Sequence, residues 1–222
     1  MEEPDMRKKL LLLLSLLLVP IAAFAERPPV IMVLGDSLAA AWGIDREQGW
    51  VALLQQRLTN EGFPHRVVNA SVSGETTSGA LSRVRHELDR HLPTIVILEL
   101  GGNDGLRGLD LAQTRGNLAR LTDTAQAAGA RVLIAGMQLP PNYGAAYASA
   151  FHRMYAEVAT EHGAGLIPFL LEGLDHTPRH FQPDGIHPSA EAQTLILNNV
   201  WDVLKGEVTR ETRRIESERT GP

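Results

Sequence analysis

The sequence predicts an α/β protein, a three-layer α/β/α sandwich around a five-stranded, mostly parallel, doubly wound sheet. Three observations predict it. Five short apolar or β-branched runs alternate with segments of helical periodicity, the pattern of βαβ units. The strongest runs are apolar on both faces, as strands covered by helices on both sides must be. No internal repeat or second domain divides the 222 residues. The strand order 2-1-3-4-5 is expected, from the common doubly wound arrangement.

The elements follow in chain order. Val30 to Leu34, bounded by Pro28-Pro29 and Gly35, is a buried first strand ending in Gly35-Asp36-Ser37-Leu38. Trp50, Leu53, Leu54 and Leu58 form one face of a helix that ends near Gly62. Arg66 to Ala70 is a short second strand running into Ser71-Val72-Ser73-Gly74. Leu81, Val84 and Leu88 mark the next helix face. Thr94 to Leu100 is the strongest strand and reads as fully buried apart from Glu99. It ends in a loop, Gly101-Gly102-Asn103-Asp104-Gly105. Asp110 and Gln113 form a capping box for a helix through Leu118, Leu121 and Ala125, which Gly129 stops. Arg131 to Ala135 is the fourth strand. A rigid loop from Leu139 to Gly144 precedes a helix through Tyr147, Phe151, Met154 and Val158. Leu166 to Leu170 is the fifth strand, and Ile196, Val200 and Val203 lie on one face of a last helix.

The two ends read differently from the body. Arg7-Lys8-Lys9, the apolar run Leu10 to Phe24 and Ala23-Phe24-Ala25 have the layout of a secretory signal peptide over residues 1–25, cut after Ala25. The run is about 15 residues, short of the roughly 20 that span a bilayer. The expectation is a periplasmic or secreted protein with no stable membrane anchor after cleavage. The catalytic domain is assigned to 26–205, and the charged stretch 206–222 reads as a disordered tail.

Composition removes several function classes. There is no cysteine, so disulfides, thiolate metal sites and a cysteine nucleophile are excluded. The net charge is −5 and no basic run interrupts the body, which argues against a nucleic-acid partner. His86-Glu87-Leu88-Asp89-Arg90-His91 places three residues between Glu87 and His91, where a zinc-protease helix needs two. The Asn69-Ala70-Ser71 sequon falls where a strand enters the crevice and is read as chance. Neither a Gly-x-Ser-x-Gly elbow nor a phosphate-binding P-loop is present. The expectation is a monomer with no metal and no cofactor.

Four polar segments follow strand ends, and a parallel sheet delivers all of those ends to one edge. Ser37 follows strand one, Gly74 strand two, Asn103 strand three, and Asp184 with His187 strand five. Serine acyl transfer needs these residue types. A serine hydroxyl needs an adjacent base, and imidazole titrates near neutrality, so His187 can take the proton and return it to the leaving group. Asp184, three residues earlier, can hold the ring in the correct tautomer; a backbone carbonyl is the alternative. The N–H groups of Ser37 and Gly74 and the amide of Asn103 can stabilise the oxyanion, and Gly74 has no side chain to block the approach. Each segment alone also fits an ordinary turn or helix start.

Taken together, Gly-Asp-Ser-Leu at 35–38, Gly74, Gly-Gly-Asn-Asp at 101–104 and Asp-Gly-Ile-His at 184–187 resemble, in order, the four blocks of the SGNH-hydrolase (GDSL esterase) superfamily. The stretches 69–76, 100–108, 139–144 and 184–188 resemble its secreted bacterial branch of arylesterases, acyl-CoA thioesterases and lysophospholipases. The resemblance implies Ser37 as nucleophile, His187 as base, Asp184 as orienting acid, and Ser37, Gly74 and Asn103 as oxyanion hole. It implies a small acyl ester or thioester as substrate. It also suggests Leu106, Leu109, Leu139, Pro140 and Tyr143 as the apolar wall of the acyl site. Ala39-Ala40-Ala41 departs from relatives that carry serine or glycine there. A carbohydrate O-deacetylase and an inactive lipid- or glycan-binding module on the same fold are the alternative readings.

Overall fold

The computed structural model describes residues 27–220. The expected signal peptide and its cleavage point lie outside the described residues. Five strands form one parallel sheet: β1 (Val30–Gly35), β2 (Arg66–Asn69), β3 (Ile95–Glu99), β4 (Arg131–Ala135) and β5 (Gly165–Ile167). Their order is β2-β1-β3-β4-β5, as expected. Ile31 is in register with Val67 on one side and Ile95 on the other.

Six α-helices cover the sheet: α1 (Trp50–Asn60), α2 (Thr77–His91), α3 (Gly102–Leu106), α4 (Leu111–Ala127), α5 (Ala145–Glu161) and α6 (Gln193–Thr220). α1 packs against α6, while α4 packs between α2 and α5, which gives the two outer layers. Every residue of β1 and β3 is buried, whereas the edge strand β2 is only partly covered. The central strands therefore supply the middle of the core, and their apolar runs are explained by cover on both faces. Local signals set the helix ends. The Asp110 carboxylate accepts from the N–H groups of Ala112 and Gln113, and the Thr76 hydroxyl accepts from Gly79.

The structure departs from the sequence reading at four places. Glu99 is fully buried rather than an exception to the burial of β3. The Gly101–Gly105 loop is instead the start of α3, entered through Gly101 at φ 102°. β5 ends at Ile167, because Pro168 has no N–H for the ladder. The chain then turns so that the Leu170 N–H bonds back to the Gly136 carbonyl at 2.9 Å.

The fourth departure corrects the disordered tail: α6 runs unbroken through residue 220. Val208 is fully buried and Glu211 nearly so. The Glu211 carboxylate lies 3.2 Å from His65 Nε2 and accepts from the Thr94 hydroxyl at 3.1 Å. Two inward contacts one turn apart hold an otherwise charged helix on the N-terminal edge of the sheet. Among the described residues no helix is long and apolar enough to cross a membrane.

Candidate active site

Ser37 stands on the turn that leaves β1. The Asp36 carboxylate accepts from the Leu38 N–H at 3.0 Å, and Ala40 N–H donates to the Asp36 carbonyl at 3.0 Å. Two neighbours tie the turn down from outside. The Trp50 indole N–H donates to the Leu38 carbonyl at 3.1 Å, and the Asn69 amide donates to the Ala39 carbonyl at 2.7 Å. Such local closure holds a small hydroxyl in one position at the sheet edge.

His187 reaches the same point from 150 residues away. Its Nε2 is 2.9 Å from the Ser37 Oγ. Its Nδ1 is 2.6 Å from one Asp184 oxygen, while the other accepts from the Ile186 and His187 N–H groups at 2.9 and 3.0 Å. The Asp184 carboxyl is pulled down to about 2, first by the His187 ring and then by those two N–H groups. It is therefore a carboxylate at neutral pH, and it fixes the ring with Nε2 toward Ser37. The loop itself is clamped: Gln182 N–H donates to the His187 carbonyl at 2.8 Å, and the Gln182 amide to the Pro188 carbonyl at 3.0 Å. Of the two candidate orienters of His187, the carboxylate is the one bonded to the ring.

The donors sit on adjoining elements. The Asn103 amide donates to the Asp36 carboxylate at 2.9 Å, which draws α3 against the Ser37 turn. Gly74 adopts φ 79°, a left-handed conformation that favours glycine, and its carbonyl accepts from Arg107 at 2.9 Å. Asp104 ties the two segments together, accepting from the Thr77 N–H at 2.9 Å and the Thr77 hydroxyl at 2.6 Å. The sheet edge thus brings Ser37, His187 and Asp184 into one hydrogen-bonded chain, with Asn103 bonded to the adjacent Asp36 and Gly74 bonded to Arg107 at the end of α3. Such a chain can move a proton off a serine hydroxyl beside N–H donors fit for an oxyanion.

A profile of the GDSL-like lipase/acylhydrolase family matches residues 33–195, a span that contains every one of these groups. The chain belongs to this family. It is 50% identical to esterase TesA of Pseudomonas aeruginosa over 192 residues, covering 86% of this chain and 94% of that one. It is 39% identical to thioesterase 1/protease 1/lysophospholipase L1 of Escherichia coli over 181 residues, 82% and 86% of the two chains. A crystal structure of TesA superposes with a TM-score of 0.78 at 51% identity, covering 80% of this chain and 98% of that one.

Within this GDSL-like fold, two buried acids beneath the serine went unassigned in the sequence. Asp36 and Glu99 are both buried, and Glu99 accepts the Asp36 N–H at 3.1 Å. Burial pushes Asp36 up to about 6, against the lowering effect of its Leu38 and Asn103 hydrogen bonds. Burial, and then the neighbouring Asp36 charge, push Glu99 well above the usual carboxylate range. The signal was present: one carboxyl in an otherwise apolar central strand must have a partner. Trp42 also stands beside the site. It is 54% exposed, and its ring centroid is 5.9 Å from that of His187.

The suggested acyl wall is brought together in part. The Tyr143 hydroxyl donates to the Leu106 carbonyl at 2.9 Å, and the Tyr147 hydroxyl to the Leu109 carbonyl at 3.0 Å. Leu139 packs so closely on Gly105 that a Cβ there would meet it at 2.8 Å. Leu109 is 39% exposed and Pro140 is exposed, so these two line a rim rather than an enclosed pocket. A cavity of about 500 Å³ lies at the opposite edge of the sheet among Pro28, Pro29, Thr94 and Glu211. It touches none of the four site segments, and the hydrogen-bond chain from Ser37 through His187 to Asp184 marks the site instead.

Proposed function

We propose that this protein is a serine esterase that cleaves small acyl esters and thioesters through an acyl-serine intermediate, exported by its first 25 residues to the periplasm or beyond. The observation that carries the reading is the unbroken chain Ser37–His187–Asp184, with links of 2.9 and 2.6 Å. His187 Nε2 takes the Ser37 proton as Oγ attacks the carbonyl carbon. The carbonyl oxygen becomes an oxyanion facing the Ser37 and Gly74 N–H groups and the Asn103 amide. His187 then passes its proton to the leaving oxygen or sulfur as the bond to the acyl carbon breaks. Water, deprotonated by the same ring, releases the acid and restores Ser37. Asp184 stays ionised throughout and stabilises the imidazolium. The relatives' names supply the ester and thioester classes, and the open rim agrees with short or loosely held acyl chains.

The reading is tested with p-nitrophenyl esters and acyl-CoAs of increasing chain length, run beside Ser37→Ala. Hydrolysis by the natural protein with loss to background in the variant is expected. Equal rates from both proteins would sink the proposal. Activity confined to acetyl groups would move the assignment to a deacetylase.

A further inference from the structure

Trp42 is an exposed indole beside the catalytic histidine, on a stretch of backbone tied down at both of its polar groups. Its backbone N–H donates to the Ser37 carbonyl at 3.2 Å, and its backbone carbonyl accepts from the Gln182 side-chain amide at 2.8 Å. Gln182 is the side chain that also clamps the His187 loop. Trp42 lies between two left-handed residues, Ala41 at φ 60° and Gly43 at φ 73°. A left-handed alanine is strained, and such strain persists where surrounding structure enforces it. Here Ala41 is buried against Gly49, where a Cβ would approach it to 2.7 Å. The other two tryptophans are buried: Trp50 bonds to Leu38, and Trp201 packs on Phe63. Trp42 has no comparable part in the core. A large apolar ring exposed to solvent next to a reacting centre has the character of a binding group.

The chemistry of the site says which half of the substrate meets it. The acyl carbon bonds to Ser37 Oγ, and the oxyanion faces Gly74 and Asn103. His187 Nε2 must lie against the leaving oxygen to protonate it, so the leaving group departs on the His187 side. That side carries Trp42. We propose that Trp42 is a leaving-group platform that selects planar aromatic alcohols. The proposal rests on the ester-hydrolase reading and adds the subsite that distinguishes aryl from alkyl esters.

The test compares phenyl and 2-naphthyl acetate with ethyl acetate, which share one acyl group. In Trp42→Ala the ratio of kcat/KM, aryl over ethyl, should fall about three- to tenfold, the range of a lost aromatic pair. Trp42→Phe should restore most of it. An unchanged ratio would overturn the proposal. So would a rising one, because a group acting only through His187 matters most for the alkoxide that most needs a proton. A binding arm separates this from failure of the hydrolase reading. In Ser37→Ala, 4-nitrophenol should quench the exposed indole saturably, and the added Trp42→Ala change should abolish that quenching. If the natural protein cleaves neither these acetates nor any member of the chain-length series, the hydrolase reading fails while the quenching still decides the subsite. Quenching that survives loss of Trp42, or never saturates, overturns it.

Discussion

Replacing Asp36 by Asn should stabilise the protein at neutral pH and slow it. Asp36 is 2% exposed, and burial raises its carboxyl from 3.8 to about 6. A raised carboxyl binds its proton more tightly in the folded chain than in the unfolded one. Stability from this group is therefore full below about pH 4 and declines as pH rises through about 6. The shift, 6 − 3.8 or about two units, corresponds to about 3 kcal/mol at about 1.4 kcal/mol per unit. Asparagine keeps the shape and carries no charge at any pH. Urea denaturation of both proteins from pH 4 to 7.5 should show the variant's relative stability growing by about 3 kcal/mol. The same variant should lose activity, because Asn103 loses its ionised acceptor at 2.9 Å. A stability difference that does not change with pH would refute the reasoning. Asp36 thus trades stability for the placement of a donor beside Ser37.

Other outcomes follow from the same contacts. Asn103→Ala should lower kcat by about 10²–10³ with a smaller effect on KM, read from steady-state kinetics. Asp184→Asn should lower kcat by about 10³–10⁴, because the amide can donate to Nδ1 and turn the ring to the wrong tautomer. Asp184 is pulled down to about 2, so its contribution to stability is present above about pH 4 and fades as pH falls toward 2. Its side chain is 41% exposed, which keeps that contribution below about 1 kcal/mol in denaturation curves. Ending the chain after Gly206 removes the buried Val208 and leaves His65 without its Glu211 partner. The losses, about 1.5–3 and about 1–3 kcal/mol, should lower the melting temperature by about 5–20 °C.

Much of the fold was legible because it follows from local periodicity. Alternation of apolar runs with helical faces identified the five strands, the common doubly wound arrangement supplied their order, and Gly35, Gly101 and Gly129 marked where elements stop. The site was legible for a related reason: a parallel sheet converts strand ends far apart in sequence into one edge. What escaped depended on contacts that sequence spacing does not encode. The end of α6 is mostly charged, and Val208, Glu211 and the Glu207 pair with Arg131 hold it on the sheet edge. Glu99 read as an exposed break in β3, although its acceptor bond from Asp36 N–H allows it to be buried. Trp42 carries no sequence signal of its place beside His187, since the left-handed conformation of the preceding Ala41 has no sequence signature.

The central claim is that Ser37 is the nucleophile activated by His187. Fluorophosphonate labelling of the folded protein, followed by peptide mass mapping, addresses it directly. The account predicts one adduct, on Ser37, forming far more slowly in His187→Ala. Folded protein that leaves Ser37 unmodified, or carries the adduct on another serine, would contradict it.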